Sequence, residues 1–365
     1  MRTLGPGRLD ALSRGFSLLG SGGGGTTTLL RLMAARAPVW PVRLHDVADL
    51  DPATPCATVA FAGSTHLLTE RIPAATAFDP LLAAAERWTG VAARAVCAME
   101  GGGMNGLSPL LVADRLAVVD ADCMGRALPR LDQVSLLVDE VPGVVTVCDT
   151  GRGVVVIESA RAADVESQVR AAIVQAGGTA AVLMAGFTVG DLREHAVNGT
   201  ISRALELGER MTEAVSGSAD ALVSALGGRL VGAGRVTRIE PSAHDPYVSA
   251  LQVDGDDGSL LRLVAGSELL AVVRDGETVA ATPEIIVALD TLSRDILQAD
   301  GVTLARHVTV LALPAPAWWT ERAARLRRIT PSAFGLDGVD GPGGVDGLDG
   351  PAGSAGVDGD GVDAA

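Results

Sequence analysis

The sequence predicts an α/β protein. It has an N-terminal α/β domain with a largely parallel sheet, a smaller C-terminal β-rich, barrel-like domain, and a disordered acidic tail. Three observations carry this. Up to about Ser218, short apolar runs alternate with amphipathic helical stretches, the pattern of strand–helix–strand units. Beyond it, short strands separated by hairpin-type turns dominate. Over residues 335–359 glycine recurs at every third position among aspartates. The expected divisions are 1–218, 219–335 and 336–365.

Residues 10–19 read as a helix, with Leu9, Leu12, Phe16 and Leu19 on one face and Asp10 as a cap. Residues 20–25, GSGGGG, fit G-x-G-x-x-G, but they follow a helix where a dinucleotide fingerprint follows a strand. A glycine run lets the backbone come close to a ligand or to another loop. Gly22, Gly23 and Gly24 are therefore candidate substrate-binding residues, and a tight packing turn is the competing reading. A helix resumes at 29–37, strands are expected at 39–44 and 57–62, and a helix at 78–89.

Strands are then expected at 134–137, 144–148 and 154–158, a helix at 160–175, a strand at 179–184, and helices at 191–195 and 201–215. After a short helix at 221–226, strands are read at 228–239, 248–253, 260–263, 269–274, 277–280, 285–290 and 307–312. Gly255-Asp256-Asp257-Gly258 and Arg274-Asp275-Gly276 supply hairpin turns. The tail has the three-residue glycine period of collagen but only Pro342 and Pro351 within it, too few to pre-organise a triple helix.

The stretch 97–129 is the centre of the functional reading. An apolar run at 95–99 ends in Glu100, and Gly101, Gly102 and Gly103 follow, then Met104, Asn105 and Gly106. Helical spacing over 107–116 leads to a second apolar run at 116–119, ending in Asp120-Ala121-Asp122. Two buried strands joined by a crossover form a parallel unit. In open α/β sheets ligands bind beyond the carboxyl ends of the strands, where this sequence places its acids.

Composition narrows the function. Aromatic residues are 3 % and the formal charge is −15, so neither base stacking nor phosphate attraction supports nucleic-acid binding. Every basic residue apart from histidine is arginine. The absence of lysine excludes a Walker-type phosphate loop and a Schiff-base mechanism. Cys56, Cys97, Cys123 and Cys148 show no C-x-x-C spacing. The first twenty residues have no continuous apolar core and no run approaches a membrane span, so a cytoplasmic protein without membrane association is expected.

Glu100, Asp120 and Asp122 are the candidate catalytic residues: clustered carboxylates push each other's pKa values apart, which suits acid–base work. They could instead hold a divalent metal, cap loops or pair with Arg126. No histidine–carboxylate spacing demands a metal, and no cofactor is expected. Gly102, Gly103, Asn105, Cys123 and Arg126 join the candidate substrate-binding set. Cys123 lacks a recognisable base partner, His66 and His195 read as structural, and Trp318 and Trp319 read as packing or interface residues. The expected partner is a small-molecule substrate, and a homo-oligomer is left open. A non-catalytic small-ligand-binding module is the alternative.

Taken together, GSGGGG, MEGGGMNGLSPL, VVDADCMGRALP, AVNGTISRALELG, ALGGRL, ALPAPAWW and PSAFGLD resemble the DUF917 family, the S-methyl thiohydantoin desulfurases, over about residues 8–337. The resemblance implies an α/β domain with a barrel-type β domain. It also implies a hydrolase that removes a methylthio group from a thiohydantoin ring, giving methanethiol and a hydantoin, or, as the alternative, a non-catalytic partner subunit of a hydantoinase-type complex. Two positions depart from the family pattern: Thr26, where an acid often stands, and Cys123, where glycine often stands.

Overall fold

The computed structural model describes residues 2–37, 39–70, 72–241, 248–336 and 339. The glycine-periodic tail beyond Leu336 lies outside the described residues, Val339 excepted.

Nine strands build the first sheet. Four of them, Val42–His45, Ala117–Asp122, Ala95–Ala98 and Pro55–Gly63, lie side by side and run parallel. Antiparallel strands complete both sides: Arg2–Leu4 beyond the first, and Thr179–Thr188, Val145–Asp149 and Val154–Ile157 beyond the last. The two-residue strand Val197–Asn198 pairs with the end of Ala117–Asp122. The sheet is thus mixed, and its parallel part carries the candidate site.

Both faces are buried, which explains the near-continuous apolar runs. Within Pro55–Gly63, Ala57, Val59 and Phe61 enter one core while Cys56 and Ala60 enter the other. Helices Leu9–Leu19, Asp79–Thr89 and Thr200–Ala214 cover the first face, and Ala162–Gln175 the second. Leu9–Leu19 and Thr200–Ala214 pack backbone to backbone. A Cβ on Gly15 would lie 1.7 Å from the Ala204 oxygen, and one on Gly208 1.7 Å from the Ala11 oxygen.

Seven antiparallel strands form the second sheet, in the order Glu277–Ala281, Leu269–Arg274, Leu260–Ala265, Ser249–Gly255, Arg229–Pro241, His307–Leu313, Ile285–Asp290. It curls into a half-barrel around Val253, Leu261, Val272, Ile286 and Val310. The chain then returns to the first body. Trp319 is fully buried with its indole donating to the Met124 oxygen at 2.7 Å, and Arg325 pairs with Asp139 while stacking 3.8 Å from the Trp318 ring.

Two expected elements differ. Residues 134–137, read as a strand, form the helix Ser135–Val138, because a short apolar run also suits a buried helical turn. The crossover at 107–116, read as an α-helix, is a 3-10 helix, Gly103–Val112. Pro109 lies inside it and offers no N–H to an α-helical ladder.

Candidate active site

Strand Ala95–Ala98 stops short of its neighbour Pro55–Gly63. On that side the backbone of Phe61 would be left unpaired, and Asn105 takes the place of the missing strand. Its Oδ1 accepts from the Phe61 N–H at 2.7 Å and its Nδ2 donates to the Phe61 oxygen at 2.9 Å. The same Nδ2 donates to Glu100 Oε2 at 2.7 Å. The amide is thereby fixed in orientation, and it holds one carboxylate oxygen of Glu100. The other, Oε1, accepts from the Leu128 N–H at 3.1 Å.

Glu100 and Asn105 line a cavity of about 100 Å³ between the two bodies, with Phe61, Met99 and Met124. Glu268 of the second body lines the same cavity. This residue lies in the hairpin between Leu260–Ala265 and Leu269–Arg274, with Ser267 Oγ donating to its Oε2 at 2.8 Å. Glu100 is 7 % exposed and Glu268 2 %. Burial pushes Glu268 up to about 7, against the pull of Ser267 and Arg126. Burial also pushes Glu100 up to about 8, where the Asn105 and Leu128 hydrogen bonds oppose the rise and the Glu268 charge adds to it. Both carboxyls are thus raised by burial, and a charge on Glu268 favours the protonated form of Glu100.

Asp120 and Asp122 do not line this cavity. Asp122 Oδ1 accepts from the N–H groups of Gly101 at 2.9 Å, Met124 at 2.7 Å and Gly125, and Oδ2 accepts from Thr200 Oγ1. The buried carboxylate ties together the loops that follow the two central strands, and burial raises it to about 6. Asp120 Oδ1 accepts from Ile201 N at 2.7 Å and Ser202 N at 3.2 Å, at the N-terminus of Thr200–Ala214, where a negative charge meets the helix dipole. Both acids stand where the sequence placed them, at the end of a parallel strand, but their oxygens are spent on backbone N–H groups and on the hydroxyls of Thr200 and Ser202.

Arg126 is fully buried and reaches the second body: Nη1 donates to the Glu284 oxygen and, at 3.4 Å, to Thr282 Oγ1. Burial lowers its pKa to about 10, and the nearby Glu268 and Glu100 charges oppose that fall, so it is a cation beside the acid pair. Gly24 lines the cavity, whereas Gly22, Gly23, Gly102 and Gly103 form the packed seam behind it. Cys123 is buried away from the cavity against Cys97; that contact and burial raise its thiol well above the usual range. His195 pairs with Asp139 at 2.8 Å, outside the site.

Glu268 is the residue the sequence reading missed. The available signal was Gly266-Ser267-Glu268 between two apolar runs, a tight hairpin with an acid at its tip. A larger hollow of about 530 Å³, lined by Pro55, Trp88 and Phe187, has Glu158 as its single carboxylate and holds no acid pair. The paired buried carboxyls, not the volume, single out the candidate site.

A family model described as S-Me-THD-like, N-terminal domain, matches residues 7–160, and one described as S-Me-THD-like, C-terminal domain, matches residues 160–340. The chain is similar to the crystal structure of a protein from Chromobacterium violaceum, with a TM-score of 0.76 at 24 % identity, over 95 % of this chain and 100 % of that one. At that identity the likeness speaks to the fold. No curated protein matches the chain. Among the described residues no helix is long and apolar enough to cross a membrane.

Proposed function

The chain belongs to the S-Me-THD-like family, and on that premise we propose that it is a hydrolase of a small cyclic ureide-like substrate, removing a methylthio group from an S-methyl thiohydantoin. The observation that carries this reading is the pair Glu100 and Glu268: two buried carboxyls on one cavity, raised to about 8 and about 7. A volume of about 100 Å³ lies below the ~300–1,000 Å³ of pockets for drug-sized ligands, which favours a small ring.

The chemistry needs one base and one acid. The ring carbon bonded to sulfur and doubly bonded to nitrogen is electrophilic. We assign Glu268 as the base and Glu100 as the acid, because a charge on Glu268 favours the protonated form of Glu100. Water adds to that carbon, Glu268 takes a water proton, and Glu100 gives its proton to the ring nitrogen. The tetrahedral centre then collapses: the new hydroxyl returns its proton to Glu100, the C–S bond breaks, and Glu268 delivers its proton to the departing sulfur. The products are a hydantoin and methanethiol, and both carboxyls regain their starting states. Asn105 orients Glu100 throughout. Each acid–base contribution of this kind is worth ~10²–10⁴-fold.

The test is to incubate the protein with a panel of S-methyl thiohydantoins and hydantoins, following thiol release and ring opening. Stoichiometric thiol and hydantoin support the reading. No turnover across the panel while a ligand still binds favours the binding-module alternative.

A further inference from the structure

We infer that the glycine run at residues 20–25 is a spacer that sets the separation of Glu100 and Glu268, with Ser21 and Gly23 as its positioning residues. The inference rests on the acid-pair reading above and assigns the run a role other than ligand binding.

The run is wedged between the two loops that carry the acids. On one side is the Gly102–Gly103 turn that follows Glu100. Met104 N donates to the Gly24 oxygen at 2.9 Å, a Cβ on Gly103 would lie 2.2 Å from that oxygen, and one on Gly24 2.9 Å from the Gly102 oxygen. On the other side is the Glu268 hairpin. A Cβ on Gly23 would lie 2.5 Å from Glu268 Cγ, 2.6 Å from its Oε1 and 2.7 Å from the Ser267 oxygen. The Ser267 oxygen is backbone and cannot yield as a side-chain tip can, and the two nearer atoms belong to the Glu268 side chain itself, so any larger residue displaces the hairpin or its acid.

Ser21 fastens the wedge. It is fully buried with φ 52°, a left-handed conformation that is uncommon outside glycine. Its oxygen accepts from Leu269 N at 2.8 Å, one residue beyond Glu268. Its Oγ accepts from Ile286 N at 3.0 Å and donates to the Ile286 oxygen at 2.9 Å. A residue of the first body thus supplies hydrogen bonds to two strands of the second. The thickness of bare backbone between these contacts fixes how far apart the two carboxyls stand. It also keeps water out of the seam, which is the source of their raised midpoints.

The test is a carboxyl titration by NMR on protein labelled with ¹³C at the glutamate side-chain carboxyls, the signals assigned with Glu100→Gln and Glu268→Gln. Gly23→Ala is the spacer variant; its φ is not left-handed, so the change adds bulk without backbone strain. Gly7→Ala is the control, since nothing lies within 4 Å of a Cβ there. The expected result is that Gly23→Ala opens the seam and lowers the Glu268 midpoint by about one unit or more, with Glu100 following as repulsion relaxes. Gly7→Ala leaves both in place. Ser21→Gly removes the hydroxyl without adding bulk and should shift both midpoints the same way; it decides the matter if Gly23→Ala does not fold. Wild-type midpoints in the folded spacer variants would overturn the inference. The readout is titration rather than turnover, so absence of desulfurase activity would count against the proposed reaction and leave this test standing.

Discussion

The side-chain amide of Asn105 donates to Glu100 Oε2 at 2.7 Å while closing a two-bond ladder with Phe61, so one residue completes the sheet and orients the acid. Asn105→Ala should raise the Glu100 midpoint above about 8, because the lost hydrogen bond stabilises the carboxylate form. It should also cost ~1–3 kcal/mol through the stranded Phe61 N–H. Carboxyl titration and urea unfolding read the two effects separately.

Stability should fall as pH rises through the neutral range. Glu100 and Glu268 are raised from 4.5 to about 8 and about 7, and Asp122 from 3.8 to about 6. Below their unfolded values these groups are protonated in both states. Above them the unfolded chain releases protons that the folded chain retains, up to the folded midpoints. Each group that has ionised only in the unfolded chain therefore subtracts ~1.4 kcal/mol per pH unit. Urea midpoints measured from pH 5 to 8.5 should decline, and the decline should be shallower in a Glu100→Gln, Glu268→Gln double variant. An equal slope in both proteins would show that other groups control it.

Asp122→Asn should act on stability rather than on chemistry. The asparagine can keep the three backbone donors on one oxygen but loses the charge they stabilise, at a cost of ~1–3 kcal/mol. Per folded molecule, the rate of thiol release should remain within a few-fold of wild type. A loss of orders of magnitude in well-folded protein would return Asp122 to the catalytic set.

All four cysteines are free and buried, and the thiols of Cys97, Cys123 and Cys148 are raised above their usual range. Native protein should be inert to a disulfide thiol reagent, and the unfolded protein should titrate four thiols. A single fast-reacting thiol in the native state would identify a nucleophile that the geometry does not.

Much of the architecture was legible because the pattern is strong. The strand Ile285–Asp290 and the hairpin turn at Asp275-Gly276 follow directly from apolar runs and turn chemistry. The helix Ser135–Val138 was not, since a four-residue apolar run has no period of its own. The site was half legible. Glu100 and Asn105 stood out because they frame a glycine loop at a strand end. Asp120 and Asp122 stood out for the same reason, yet an acid there can equally serve the N–H groups of loops and of a following helix. Glu268 could not be paired with Glu100 from sequence, because only the packing of the second body on the first brings it to the same cavity.

We propose Glu268 as the base and Glu100 as the acid of one hydrolytic pair. The most direct measurement is the pH dependence of methanethiol release from an S-methyl thiohydantoin by wild type, Glu268→Gln and Glu100→Gln. Wild type should show a bell, rising through about 7 as Glu268 ionises and falling through about 8 as Glu100 loses its proton. Each variant should lose ~10²–10⁴-fold in rate, Glu268→Gln losing the acid-side limb and Glu100→Gln the alkaline one. A wild-type rate in either variant, or a bell whose two limbs survive both substitutions, would contradict it.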